Sequence, residues 1–584
     1  MFRLNTNLKS RLPALLCVLA LLFCALATQP IAEIGIDDDW SYVKSARVLA
    51  QTGHIVYYGW ATPMLGWQLF LGALFVRLFG PSFTAIRAST LLIALVTAFL
   101  TQRIMVRAGV SSRNATIGTL AFVLSPLFLP LALSFMTDIG GLFCIALCLY
   151  ACLCALQAHT DRAILAWLAF AALSNDLGGT IRQIAWLGVL VMVPCTVWLL
   201  RHRPRVVFSG VVLYIISLGF VLGSLHWFQQ QPYSLPEPLI VEHVDGRHLI
   251  YLAVRFLSFF FRFALFLLPI LLAFVRGISF RNGRAGAYLI FGLLLCAAIC
   301  LFPALHHPDS FRYILAPYNG NYVTPYGLAD TTPIKGTRPI VLTPELRIVF
   351  TIAVLLALLC FLNFLLTNVR LTRFAGKAPR ISWNSLLILL VPFTLVYLSL
   401  LLPRSINGDL FDRYLLPLLL IGFIFLLRLF QDCVRPSLPL ASYALVLLYA
   451  FYAVAGTHDA FSMYRARQAA FAELRGLGVP ATSIDGGFEQ NGMTQIERFG
   501  YINEPRIRVP TTIYIAQSSP FPKDCEPQMV YLTPAIVPGY ALSFDPQACG
   551  GPSRFDPVTY RAWLGAHAVT LYVVDTVKDA HANR

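Results

Sequence analysis

The sequence predicts a mainly α-helical, polytopic membrane protein with a small C-terminal α/β domain outside the bilayer, and three observations carry that reading. Of its 584 residues 58% are hydrophobic and only 12% charged, where a soluble globular chain carries about 25% charged residues. Apolar runs such as Ala14 to Ala27, Ala115 to Leu133, Val207 to Phe228 and Ile348 to Leu366 each approach the roughly 20 residues that a helix needs to cross a bilayer core. The basic residues lie in short clusters between those runs. A water-soluble fold is excluded, and the formal charge of +16, never gathered into one patch, gives no reason to expect a nucleic-acid partner.

The clusters also set the topology. Arg3/Lys9/Arg11, Arg103/Arg107/Arg113, Arg201/Arg203/Arg205, Arg276/Arg281/Arg284, Arg370/Arg373/Lys377/Arg380 and Arg428/Arg435 fall on one side only if the apolar stretch Pro63 to Gly80 does not span. That stretch is therefore expected to lie on the surface as an interfacial helix or hairpin. The positive-inside bias then puts the N-terminus and all six clusters in the cytoplasm. About thirteen spans follow, at 11–31, 83–103, 115–133, 138–157, 162–177, 183–200, 206–228, 255–275, 285–304, 346–367, 383–403, 412–430 and 437–455. Residues 1–455 form the membrane domain, with outer loops 32–82 and 305–345, and 456–584 form the outer domain. Ala25-Leu26-Ala27 could mimic a signal-peptidase site, but either outcome leaves everything after Pro30 outside.

From His458 the chain turns polar with helical periodicity through Arg465 and Leu474, ending near Gly476. Short β-like runs are expected at Met529 to Leu532 and Val569 to Val574. Asp556-Pro557 is expected to cap and open a helix toward Gly565. Most of the thirteen cysteines sit in apolar spans as small hydrophobes. Cys525 and Cys549 lie in the outer tail, where a disulfide persists if geometry allows one.

The candidate site begins at Asp37-Asp38-Asp39-Trp40-Ser41-Tyr42, directly after the first span. Three adjacent carboxylates repel and are costly to keep ionised without a purpose, although they also suit the start of a helix over Tyr42 to Thr52, favoured by its dipole. Asp138, in Ser134-Phe135-Met136-Thr137-Asp138, reaches the same face, either as a functional acid between spans or as the N-cap of the next one. Two acids from separate loops suit general-base and positioning work. Arg182 and Arg413 fall at outer helix ends, where a guanidinium either snorkels to headgroups or binds a lipid phosphate with its planar fork. His54, Lys44 and Arg47 are further first-loop candidates. His306-His307-Pro308-Asp309 carries metal-ligand residue types without a closed ligand set.

The order Asp38-Asp39-Trp40-Ser41-Tyr42, Ala46, Gly53, Leu78-Phe79-Gly80, Arg87 and Met136-Thr137-Asp138 resembles the GT-C membrane glycosyltransferases. The resemblance is to the protein mannosyltransferase-like and aminoarabinose-transferase-like branches, including bacterial enzymes that decorate lipopolysaccharide core. It covers residues 10–200 and extends to Arg413-Tyr414-Leu415-Leu416-Pro417, but not to the tail. The family's usual second acid is Glu, and Asp39 stands there. The resemblance implies transfer of a sugar, with inversion, from a polyprenyl-phosphate donor to an envelope glycolipid or glycan at the outer face of a bacterial inner membrane. It also implies Asp38 as base, assisted by Asp138 and Asp39, with Arg182, Arg413 and Tyr414 on the donor phosphate and Tyr42 and His54 nearby. Some members use a divalent metal near these acids, and that possibility stays open. Two rival classes remain: a transporter or lipid flippase, and a non-catalytic envelope protein binding a glycan through Glu489, Gln490 and Asn491.

Overall fold

The computed structural model describes residues 6–235, 246–277, 292, 315–317, 321–329, 334–336, 338–368, 381–407, 410–502, 525–565 and 568–576. Among the described residues eleven α-helices precede the second outer loop: α1 (Thr6–Ala27), α2 (Asp39–Thr52), α3 (Gly66–Phe79), α4 (Phe83–Arg107), α5 (Ser112–Val123), α6 (Phe128–Ala132), α7 (Thr137–Gln157), α8 (Asp161–Ile181), α9 (Val193–Leu199), α10 (Pro204–Gln229) and α11 (Gly246–Leu271). After it come α12 (Pro344–Asn368), α13 (Trp383–Asn407), α14 (Leu416–Cys433), α15 (Leu440–Gly476) and α16 (Phe488–Phe499). Ten helical segments among the described residues are long and apolar enough to cross a membrane. Each corresponds to an expected span.

Three expected spans fare differently. The run 115–133 is split into α5 and α6 around Ser125-Pro126, because proline has no N–H to continue the ladder and disfavours helix in the residue before it; the Ser125 hydroxyl instead accepts from the Phe128 amide at 3.1 Å. The run 183–200 is a 3₁₀ turn (Gln183–Trp186), a π turn (Gly188–Met192) and the short α9. Gly188 is packed so closely that a Cβ would meet Asn175 Oδ1 at 1.8 Å. The span 285–304 and the His306-His307-Pro308-Asp309 cluster lie outside the described residues.

Basic residues collect at one end of the bundle. Arg107 donates to Gln157 at 2.6 Å, Arg113 to the Tyr443 hydroxyl at 2.8 Å, Arg203 pairs with Asp161 at 2.6 Å, and buried Arg428 donates to the Ala108 carbonyl at 2.7 Å. The 14-residue α3 is shorter than the helices long enough to cross a membrane and packs against α2, α4 and α8. The Gln68 side chain in α3 donates to the carbonyls of Phe135 and Met136 at 3.0 and 3.3 Å. The Gln183 amide donates to Thr62 O at 3.2 Å. The apolar stretch is thus stitched to the two turns that carry Asp138 and Arg182.

The tail is built on the far half of α15, which runs unbroken through the expected domain boundary at 455/456. Ala466, Ala470 and Leu474, spaced one turn apart, pack under a sheet core of Ile484, Leu542, Leu571 and Val573. A two-residue antiparallel pair, β1 (Val323–Thr324) and β2 (Gly327–Leu328), precedes the tail sheet. The tail strands are β3 (Ile484–Asp485), β4 (Tyr540–Ser543), β5 (Gly551–Pro552), β6 (Val558–Arg561) and β7 (Ala568–Asp575). The order is β3-β4-β7-β5 with β6 also on β7, and only β3/β4 are parallel. The expected helix after Asp556-Pro557 is corrected to β6. Its alternation places Val558 and Tyr560 against the core and Thr559 and Arg561 outward, which suits a strand. Met529 to Leu532 is corrected to a 3₁₀ turn over Val530–Leu532, since Met529 at φ 53° breaks the extended backbone. Cys525 and Cys549 form a disulfide with a Cα separation of 5.2 Å.

Candidate functional site

The three aspartates after α1 point in different directions. Asp37 sits at φ 52°, a left-handed backbone that Asp tolerates better than most residues, and α2 begins two residues later with its roughly 100° turn per residue. Asp39 therefore faces inward and is fully buried. Its carboxylate takes a fork from Arg87, Nε to Oδ2 at 2.7 Å and Nη2 to Oδ1 at 3.1 Å, and accepts the amides of Ile36 and Phe135 at 2.8 and 3.2 Å. Arg87 spends its other donors on the carbonyls of Ala32 and Ile34. Every oxygen of Asp39 is committed to holding the loop, so it does not join the cluster formed by its neighbours.

Asp37 and Asp38 turn toward Arg413, which lies in the 3₁₀ turn Asp412–Leu415 leading into α14. Arg413 Nη1 lies 2.5 Å from Asp37 Oδ2 and Nη2 lies 3.3 Å from Asp38 Oδ2. The other Asp38 oxygen accepts the indole N–H of Trp60 at 2.9 Å. Arg413 is itself fixed because Asp412 accepts the amides of Tyr322 and Val323, the latter at 2.8 Å, pinning β1 beside the site.

Asp138, in the first turn of α7, pairs through Oδ1 with Arg182 Nη1 at 2.6 Å. The Tyr414 ring joins the two ion pairs: the Arg182 guanidinium lies 5.3 Å and that of Arg413 6.0 Å from its centroid, within cation–π range. Arg413 Nε and Asp138 Oδ2 are buried and have no hydrogen-bond partner among the described residues. A buried donor and a buried acceptor left unpaired are each costly without a ligand to satisfy them.

The cluster holds three carboxylates, Asp37, Asp38 and Asp138, against two guanidiniums. Burial and then the adjacent Asp38 carboxylate push the Asp37 pKa well above the ordinary carboxylate range, with Arg413 opposing. One guanidinium shared between two acids does not offset both. Tyr42, buried in α2, has its phenol pushed up by burial and by Asp38, so it stays neutral beside the cluster. His54 does not join: it is exposed at the end of α2, its amide bonded to Thr52 Oγ1 at 3.2 Å. Arg47 lies instead over the Phe83 ring at 4.7 Å. The described residues contain no group of three His, Cys, Asp or Glu side chains placed to hold a metal ion, and the carboxylates that gather here are taken up by arginine.

No family model matches the chain and no curated protein matches it. Solved structures do. The yeast (S. cerevisiae) protein O-mannosyltransferase Pmt1-Pmt2 complex bound to its sugar donor is similar at 14% identity and TM-score 0.31, over 39% of this chain and 34% of that one. ArnT from Cupriavidus metallidurans bound to undecaprenyl phosphate is similar at 16% identity and TM-score 0.36, over 80% and 81% of the two chains. The oligosaccharyltransferase AglB from Archaeoglobus fulgidus, with an inhibitory peptide and a dolichol-phosphate, is similar at 16% identity and TM-score 0.40, over 89% and 64%. This chain spans about a third of the length of the mannosyltransferase chain.

Of the residues singled out in the sequence, the structure brings together Asp38, Asp138, Arg182, Arg413, Tyr414 and Tyr42, and sets Asp39 and His54 apart. It adds Asp37 as the direct partner of Arg413 and Trp60 as the donor to Asp38. Nothing local marks Trp60, because its partner lies 22 residues earlier across a loop.

Proposed function

We propose that this protein is a membrane glycosyltransferase that moves a sugar from a polyprenyl-phosphate donor to an envelope glycolipid or glycan acceptor, with inversion, at the membrane face opposite the basic clusters. The observation that carries the reading is Arg413 held between Asp37 and Asp38 while its Nε, and Oδ2 of Asp138, remain buried without partners.

In this mechanism the donor phosphate binds the Arg413 and Arg182 guanidiniums, whose planar forks match phosphate oxygens. Arg413 loosens its 3.3 Å contact with Asp38, which frees a carboxylate oxygen while Trp60 keeps the other in place. Asp38 then takes the proton of an acceptor hydroxyl as that oxygen attacks the anomeric carbon. A new C–O glycosidic bond forms, the anomeric C–O bond to phosphate breaks, and the electron pair leaves on the lipid phosphate, where the two arginines stabilise the added charge. Asp138 orients the acceptor through its free oxygen. Burial disfavours the charged form of Asp37, which limits the negative charge that an anionic donor meets on entering. No step is routed through a metal.

The test compares envelope glycolipids by mass spectrometry from cells lacking the protein and from cells restored with wild type or Asp38→Asn. A sugar-sized mass loss restored only by wild type is expected, with the variant expressed and inserted normally. Unchanged masses in every envelope fraction would reject the transferase reading and bring forward a transporter or flippase, which sealed-vesicle transport without a covalent product would then establish.

A further inference from the structure

A second polar groove lies apart from the acid cluster, where the tail sheet meets α15 and the end of α1. It has a volume of about 400 Å³ and is lined by Gln29, His458, Arg465, Arg561 and Trp563, among others, with no acid on its wall. The two guanidiniums are not neutralised by what holds them. Arg465 donates to the carbonyls of Gln29 and Ile31 at 2.7 and 3.3 Å and to Ser462 Oγ at 2.9 Å, all uncharged. Arg561 sits at an outward position of β6 and is exposed. The nearby acid, Asp459, is spent elsewhere, accepting the amides of Trp563 and Leu564 at 2.7 and 2.9 Å and contacting His458 Nδ1 at 3.0 Å. Those bonds set the indole of Trp563 flat on the His458 ring, centroids 3.8 Å apart, with 44% of the residue still exposed.

Exposed apolar side chains flank the groove on its α1 and α15 sides. Gln29 follows the last turn of α1, and Ile31 beside it is exposed. On α15, exposed Leu447 and Phe451 lie two to three turns before His458. An exposed Trp at that level is a side chain suited to the bilayer interface, and paired guanidiniums suit a phosphate diester better than any neutral headgroup.

We propose that this groove is a binding site for the phosphate headgroup of an anionic membrane lipid, with Arg465 and Arg561 on the phosphate and Trp563 packed against the glycerol end of the headgroup. The site is independent of the transfer reaction. It ties the tail domain to the membrane surface at the junction of α1, α15 and β6.

The experiment titrates delipidated full-length protein in detergent with phosphatidylglycerol and reads bound lipid by native mass spectrometry, with phosphatidylcholine and inorganic phosphate in parallel. The tightest phosphatidylglycerol adduct is expected at lower concentration than any phosphatidylcholine adduct, and Arg561→Gln is expected to weaken it about fivefold or more, the worth of one interfacial cation on an anionic surface. Arg465→Gln is expected to do the same, but it also removes bonds to Gln29 and Ile31, so the exposed Arg561 variant decides. Equal binding of the two lipids, or an unchanged adduct in Arg561→Gln, overturns the proposal. Saturable inorganic phosphate binding without preference for phosphatidylglycerol overturns the lipid source and leaves a free-anion site.

Discussion

Trp60 donates its indole N–H to Asp38 at 2.9 Å, and the same indole packs against Phe488 of α16 with centroids 4.9 Å apart. The tail thus reaches the candidate base through one aromatic residue. Glu489, next in the chain, pairs with fully buried Arg467 at 3.2 Å, which anchors α16 to α15. The tail helix therefore acts as a brace on the first outer loop.

Replacing Trp60 with Phe removes the donor and keeps an aromatic ring beside Phe488, at the cost of some contact with Trp40. A hydrogen bond to a charged group is worth about 1.5–3 kcal/mol, so the turnover of purified protein is expected to fall roughly ten- to hundredfold, with melting temperature nearly unchanged. Equal turnover in the variant would take Trp60 out of positioning Asp38.

Asp39 and Arg87 behave differently from Asp38. Removing one partner of a buried ion pair costs about 3–5 kcal/mol because the other charge is left uncompensated. Arg87→Met is therefore expected to lower expression and thermal stability sharply, whereas Asp38→Asn leaves both intact. Detergent-solubilised thermal unfolding of the two variants side by side checks the contrast.

The raised pKa of Asp37 makes stability depend on pH with a definite sign. Its protonated form is favoured by folding, so its contribution is full below the ordinary carboxylate pKa and is lost as pH rises through the higher folded value. Wild-type melting temperature is expected to fall over that window. Asp37→Asn, which mimics the neutral form, is expected to flatten this part of the profile, and a parallel profile in the variant would assign the dependence to another group.

Gly492 faces Trp40 across the α2–α16 contact, and a Cβ there would meet the indole ring at 2.7 to 3.0 Å. Gly492→Ala is expected to push α16 off the loop at a cost of about 1–3 kcal/mol, the usual penalty for overpacking, and to lower turnover along with stability. Limited proteolysis of the tail, faster in the variant, reads the loosened contact directly.

Much of the membrane domain was legible without coordinates. Runs such as Val207 to Phe228 announce themselves because backbone in lipid must satisfy its own hydrogen bonds as helix, and the arginine clusters set α3 apart from the spans. The misreadings fall where one residue decides. Pro126 splits a run that hydropathy alone shows as continuous. Asp556-Pro557 has the local form of a helix start, yet the following Val-Thr-Tyr-Arg alternation is claimed by β7, which pairs Val558 with Leu571.

The sequence by itself determined that this chain crosses a membrane many times and carries acids and arginines at one face, because hydropathy and charge act residue by residue against lipid and water. Only the tertiary structure decided which acid does what. Arg87 lies 48 residues from Asp39 and Arg413 lies 376 residues from Asp37, so neighbouring aspartates of the same chemistry are divided between a structural brace and a shared ion-pair cluster by partners that local spacing does not contain.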